Sequence, residues 1–135
     1  MSIYSIFDRA WAWITALLIY LVAIFVVSHM TASQLVLIDI TVWDKLAHFF
    51  EYLPVGFLIC GWIHKVWSRS TLLLVAVAIS SVIGLACLDE LHQYFVPTRD
   101  SSIFDIAADT LGGAVGIGIA CVVLKRKNKT RLSAS

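Results

Sequence analysis

Seven of the nine acidic residues in this chain fall into three short polar clusters, and those clusters hold most of the side chains able to do chemistry. The first contains Asp44, Lys45, His48 and Glu51; the second Asp89, Glu90, His92 and Gln93; the third Arg99, Asp100, Asp105 and Asp109. Carboxyls and imidazoles brought together can move protons, hold a cation or orient a polar ligand. Asp44, His48 and Glu51 recur at i, i+4 and i+7, which is one face of a helix. At ~1.5 Å per residue, Glu51 stands roughly 10 Å further along the axis than Asp44. Asp89 is three residues from His92 and four from Gln93, again one face, and Asp105 and Asp109 line up with Gly112 and Gly116.

The elements that position these residues follow from hydropathy. The chain has 135 residues, 60 % of them hydrophobic, and a mean hydropathy of +0.89. Soluble domains carry about half apolar residues, so the chain reads as one integral membrane domain. Ala10–Val27, Leu46–Ile63, Thr71–Leu88 and Ile106–Leu124 are each long enough to cross a bilayer as a helix. The expected fold is all-α, a four-transmembrane-helix bundle. Of the four apolar stretches, the second holds the ionisable residues His48 and Glu51, and the fourth holds Asp109 near its start. The first run is too long for a signal-peptide core and has no small-x-small site after it, so it is expected to be retained. Its lead, Met1–Arg9, carries Tyr4 and Phe7 for the interface, with Trp11 and Trp13 at headgroup level.

Charge sets the expected orientation. The formal net charge is only +1, but Lys65, Arg69 and the tail Lys125 to Arg131 are basic, while the other two connections are acidic. The positive-inside rule then predicts both termini in the cytoplasm and the three polar clusters at the outer leaflet. Residues 125–135 form a basic cytoplasmic tail, a topology signal and an attraction to anionic lipid rather than a nucleic-acid site. The long connection Ser28–Trp43 is apolar enough to lie along the outer interface. Asp44 is expected to cap the second helix, Pro54 to kink it, and the third helix to stop before Pro97. The fourth should begin near Ser102 or Ile103, with Ser101 and Ser102 as turn or capping residues. Its Ala108, Gly112, Gly116 and Ala120 form a small-residue stripe that permits close helix contact. Cys60, Cys87 and Cys121 lie on three different segments without metal-ligand spacing and read as buried small hydrophobes. His29 and His64 have no acidic partner at helical spacing and read as interfacial.

Polar faces avoid lipid, so the three should point at one another and form an acidic pocket with Lys45 and Arg99 as its cations. Seven carboxylates against two fixed cations is an imbalance that a purely structural network would not carry. Protonation, water or a bound cation must relieve it. His48-x-x-Glu51 and Asp89-x-x-His92 have spacings that helix bundles use for metals, although no His-Glu-x-x-His is present. His48, Glu51, Asp89 and His92 are therefore the candidates for a divalent metal. A proton relay or acid–base site is an equally open chemistry. So is an anionic headgroup held by Arg99 and Lys45 beside carboxyls serving as acid and base.

The order and spacing of these residues resemble the VanZ-like family of small bacterial membrane proteins. The match runs through Asp44, Lys45 and His48, then Asp89, Glu90, Gln93, Phe95, Pro97 and Arg99, then Asp105, Gly112 and Gly116. It spans residues 44–116 of a single domain covering 1–135. Asp109 stands where the family pattern has Asn and adds a negative charge. The family takes its name from a member linked to reduced sensitivity to teicoplanin. The resemblance implies a multi-pass protein of the bacterial plasma membrane with a cell-envelope role, and it supplies no reaction. Taken together, these readings give a protein that binds, and could modify, an envelope lipid or glycolipid headgroup, such as a lipid-linked precursor. Glu51, Asp89 and His92 are the acid–base candidates, and Lys45, Arg99, Asp44, His48, Glu90, Gln93, Asp105 and Asp109 the ligand-binding ones. The alternatives are a non-catalytic scaffold, and a metal- or proton-coupled transporter that would need to form a homo-oligomer.

Overall fold

A computed structural model describes residues 9–29, 41–67, 70–97 and 99–133, with side chains described for 9–29, 44–67, 70–97 and 99–126. Four helices make up the described chain: α1 (Ala10–Ser28), α2 (Thr41–Val66), α3 (Thr71–Tyr94) and α4 (Ile103–Ser133). Each contains a stretch long and apolar enough to cross a membrane, with mean hydropathy 2.4, 1.4, 2.5 and 1.9 in turn. The expectations for residues 1–8 and 30–40 lie outside the described residues.

The helix ends follow from local chemistry, with departures from expectation at the start of α2 and the end of α4. α2 starts at Thr41, so Asp44 lies within its first turn rather than capping it. The carboxylate there still complements the positive end of the helix dipole. α2 also continues through Pro54, whose missing N–H removes one rung of the helix without ending it. α4 does not stop at Leu124 but runs on through the basic segment to Ser133. Lys and Arg are good helix formers, no Gly or Pro follows Gly118, and cations suit a helix C-terminus. Because α3 reaches Tyr94 and α4 begins at Ile103, Asp89, Glu90, His92, Asp105 and Asp109 are all helical. Acidic and imidazole side chains therefore occupy three of the helices.

α2 is the centre of the bundle and packs against all three of the other helices, most extensively against α4. Its neighbours fix direction. Cys60 meets Cys121 and His48 meets Asp109, in each case 61 residues further on, so α2 and α4 run parallel. Trp13 of α1 packs on Phe57 and Gly61, while Phe25 and His29 at the other end of α1 reach His92 of α3. α1 and α3 therefore run opposite to α2 and α4. The core is built from Tyr52, Val55, Ile59, Cys60, Val82, Ala86, Ile117 and Ala120. Leu18, Ile19, Val22, Leu72, Leu88 and Leu111 are exposed on the outer faces, as helices bathed in lipid require.

Glycines set the α2–α4 spacing. A methyl group on Gly112 would strike the Phe49 carbonyl, one on Gly116 the Leu53 carbonyl, and one on Gly56 the Gly113 carbonyl. Lipid tails are as apolar as leucine, so helix association in a membrane rests on such close packing rather than on hydrophobic burial. Gly112 and Gly116 belong to the small-residue stripe seen in the sequence. Gly56 and Gly113 do not, and they enter because the parallel pairing places them face to face.

Candidate functional site

One end of the bundle gathers the polar residues: the start of α2, the end of α3 and the start of α4. The parallel α2–α4 pair is what assembles it. Asp44 and His48 sit one turn apart on α2, Asp105 and Asp109 one turn apart on α4, and the glycine contacts above them hold the two backbones close. His48 Nδ1 lies 3.1 Å from Asp109 Oδ1. Lys45 Nζ donates to Asp44 Oδ2 at 3.2 Å and also to Asp105 Oδ1. Asp105 and Asp109 are 3 % and 0 % exposed, His48 5 %. These are buried groups held by partners, as membrane interiors demand.

α3 closes the third side. Gln93 Nε2 donates to Asp89 Oδ2 at 3.1 Å, an i, i+4 contact that orients the Asp89 carboxylate. One donor atom from each of His48, Asp89 and Asp109 lies within 4.8 Å of the others, and the same holds for Asp44, His48 and Asp105. Glu51, half-buried, is within electrostatic reach of His48, Asp89, Asp109 and Arg99. Arg99 Nε, Glu90 Oε1 and Asp109 Oδ2 are buried with no hydrogen-bond partner among the described residues. Buried polar atoms are seldom left unpaired without a reason.

Glu90 takes a structural position. Its Oε2 accepts the Ser102 backbone N–H at 2.7 Å, tying the end of α3 to the start of α4. The Ser102 hydroxyl in turn accepts the Phe104 N–H at 3.2 Å, an N-cap that sets where α4 begins. The three-sided cluster thus has a fixed frame.

His92 faces α1 rather than His48. Its Nε2 is 3.4 Å from His29 Nδ1, and its ring centroid is 4.5 Å from that of Phe25. Together with Asp89 it forms the polar end of a cavity of about 260 Å³, otherwise lined by Leu21, Ile24, Phe25, Tyr52, Leu85 and Leu88. The roles of His29 and of this cavity are not visible in spacing, because they arise from contact between α1 and α3. Of the residues singled out from sequence, Asp44, Lys45, His48, Asp89, Gln93, Asp105 and Asp109 converge directly. Glu51 and Arg99 flank them, Glu90 frames them, and His92 stands on the cavity side.

At the opposite end, Cys60 and Cys121 stand with sulfurs 3.8 Å apart. They border a second cavity of about 170 Å³ with His64, Thr71, Leu74, Leu124 and Lys125.

A bundle of four membrane-length helices with a buried acid–imidazole cluster at one end defines the class: a multi-pass membrane protein with a polar intramembrane site. Within that class the chain belongs to the VanZ/LLP1 family, whose model matches residues 3–124. No curated protein and no solved structure matches it.

Proposed function

We propose that this protein binds an envelope lipid or glycolipid, with the headgroup in the acidic cluster and hydrocarbon in the neighbouring cavity. The observation that carries this reading is the junction of the two. The cavity between α1 and α3 is apolar along Leu21, Ile24, Leu85 and Leu88, and it ends at Asp89 and His92. An amphiphile has the same division. Arg99 is the cation for a phosphate or other anion, since Lys45 is already held by Asp44 and Asp105 and Arg99 Nε has no partner among the described residues. Guanidinium is the side chain best suited to phosphate. Asp89 and His92 line the polar end of the cavity, Glu51 is within electrostatic reach of Asp89, and these three are the acid–base candidates for modification of the headgroup. The positive-inside rule supports a cytoplasmic end at Lys65, Lys125 and Arg126, and with it a cluster facing the outer leaflet of the plasma membrane.

A scaffold reading draws on one observation, that the Lys45–Asp105 and His48–Asp109 contacts join α2 to α4. Native mass spectrometry from mild detergent separates the two, comparing wild type with Arg99→Ala and Glu51→Gln and measuring helicity in each. Headgroup binding predicts a retained lipid that folded Arg99→Ala releases. A scaffold predicts no specific lipid and loss of folding in the variants.

A further inference from the structure

We infer that His48, Asp89 and Asp109 form a binding site for one divalent transition-metal ion of the Mn²⁺ or Zn²⁺ kind. Three helices each contribute one donor here, and the three donors lie within 4.8 Å of one another. Metal bonds of about 2.0–2.2 Å to imidazole and carboxylate put adjacent donors roughly 3–3.5 Å apart. His48 Nδ1 and Asp109 Oδ1, at 3.1 Å, already have that separation. Asp89, whose ligand atom lies within 4.8 Å of the other two, completes the set by a side-chain rotation.

Two further observations favour a cation at this place. Asp109 is 0 % exposed, and its Oδ2 is buried without a hydrogen-bond partner among the described residues, so the carboxylate has unused ligating capacity. Charge points the same way. The outer triad of Asp44, His48 and Asp105 is served by Lys45, which bonds both carboxylates. Among the described residues no lysine or arginine bonds the inner triad. Asp89 is held by the neutral amide of Gln93, and Asp109 by the imidazole of His48. The nearby carboxylate of Glu51, which feels Asp89 and Asp109, adds to the negative field, with Arg99 the fixed cation at its edge. Two buried carboxylates that share one imidazole are costly, and a divalent ion supplies both the charge and the coordination. One imidazole with carboxylates and open positions suits Mn²⁺, Fe²⁺ or Zn²⁺. Gln93 is then the outer-shell partner that fixes the Asp89 ligand.

This inference is independent of the lipid reading, because its readout is the ion itself. The full chain is purified in detergent, stripped with chelator and titrated with Mn²⁺ alone, followed by electron paramagnetic resonance. The expected result is one equivalent bound, with nitrogen hyperfine coupling from a histidine ligand. In Asp109→Asn with preserved helicity, affinity falls by about 10-fold or more, the loss that even an outer-shell change produces, while exposed Asp100→Asn matches wild type. No stoichiometric binding to wild type overturns the site. Binding without nitrogen coupling, or binding unchanged in folded Asp109→Asn, overturns it equally. Should Asp109→Asn fail to fold, a chain retaining His48 as its one histidine decides: persistence of the nitrogen coupling supports the site, and its loss overturns it.

Discussion

Replacing Gly112 with alanine should disrupt the polar cluster from a distance, because that glycine sets how closely α2 and α4 approach. The added methyl would meet the carbonyl oxygen of Phe49, where an ordinary carbon–oxygen contact needs about 3.3–3.6 Å. A backbone carbonyl inside a helix cannot turn aside, so the two helices must part by on the order of 1 Å. The His48–Asp109 contact, 3.1 Å in the native packing, would then pass beyond about 3.5 Å and cease to be a hydrogen bond. Overpacking costs about 1–3 kcal/mol, and leaving a buried polar group unpaired a further ~1–3 kcal/mol. The better helix propensity of alanine returns ~0.5–1 kcal/mol. The expected net destabilisation is roughly 1–5.5 kcal/mol, read by equilibrium unfolding in mixed micelles. Gly84 and Gly118 provide the comparison, since a methyl at either meets nothing within 4 Å. Their alanine variants should match wild type or gain up to ~1 kcal/mol. If Gly112→Ala were as stable as Gly118→Ala, the glycine-spaced α2–α4 contact would not exist and the derivation of the site from it would fail.

Other consequences are more local. Glu90→Ala removes the acceptor for the Ser102 N–H and should cost about 1–3 kcal/mol, with hydrogen exchange rising first at the start of α4; unchanged exchange there would remove Glu90 from the frame. Mild oxidation should join Cys60 to Cys121, whose sulfurs stand 3.8 Å apart, and leave Cys87 alkylatable; a Cys87 adduct in place of that bridge would contradict the parallel pairing. In metal-free protein, His48→Leu alone should destabilise by about 1–3 kcal/mol through the orphaned Asp109, and His48→Leu with Asp109→Leu should recover most of it. A double variant no better than the single one would mean that the pair does not interact.

The membrane helices were legible because long apolar runs carry their own length criterion, and Thr71 and Ile103 begin helices close to where the sequence placed them. The convergence of Asp44, His48, Asp105 and Asp109 was legible for a related reason: polar residues on one face of a membrane helix must find one another. What periodicity cannot give is the partner. It shows that α2 and α4 each have a polar face, but not that they run parallel with Cys60 beside Cys121 and Gly56 beside Gly113. His29 read as a lone interfacial histidine because its contact, His92, lies 63 residues away. Glu90 read as a ligand candidate because its bond is to a backbone N–H across the α3–α4 turn, and side-chain spacing says nothing about backbone acceptors. The extension of α4 to Ser133 was missed for a different reason, since basic residues were read as a topology signal although they are also good helix formers.

The central claim is that the acidic cluster and the adjoining cavity together hold one lipid. A photoreactive residue placed at half-buried Leu85, which lines the cavity, tests it most directly in living cells, with Val22, exposed on α1 outside that lining, as the control position. The expected result is a single class of anionic lipid adduct at Leu85, absent at Val22 and lost in folded Arg99→Ala. Adducts at Leu85 that mirror the bulk membrane lipids, as at Val22, and that persist in Arg99→Ala would contradict it.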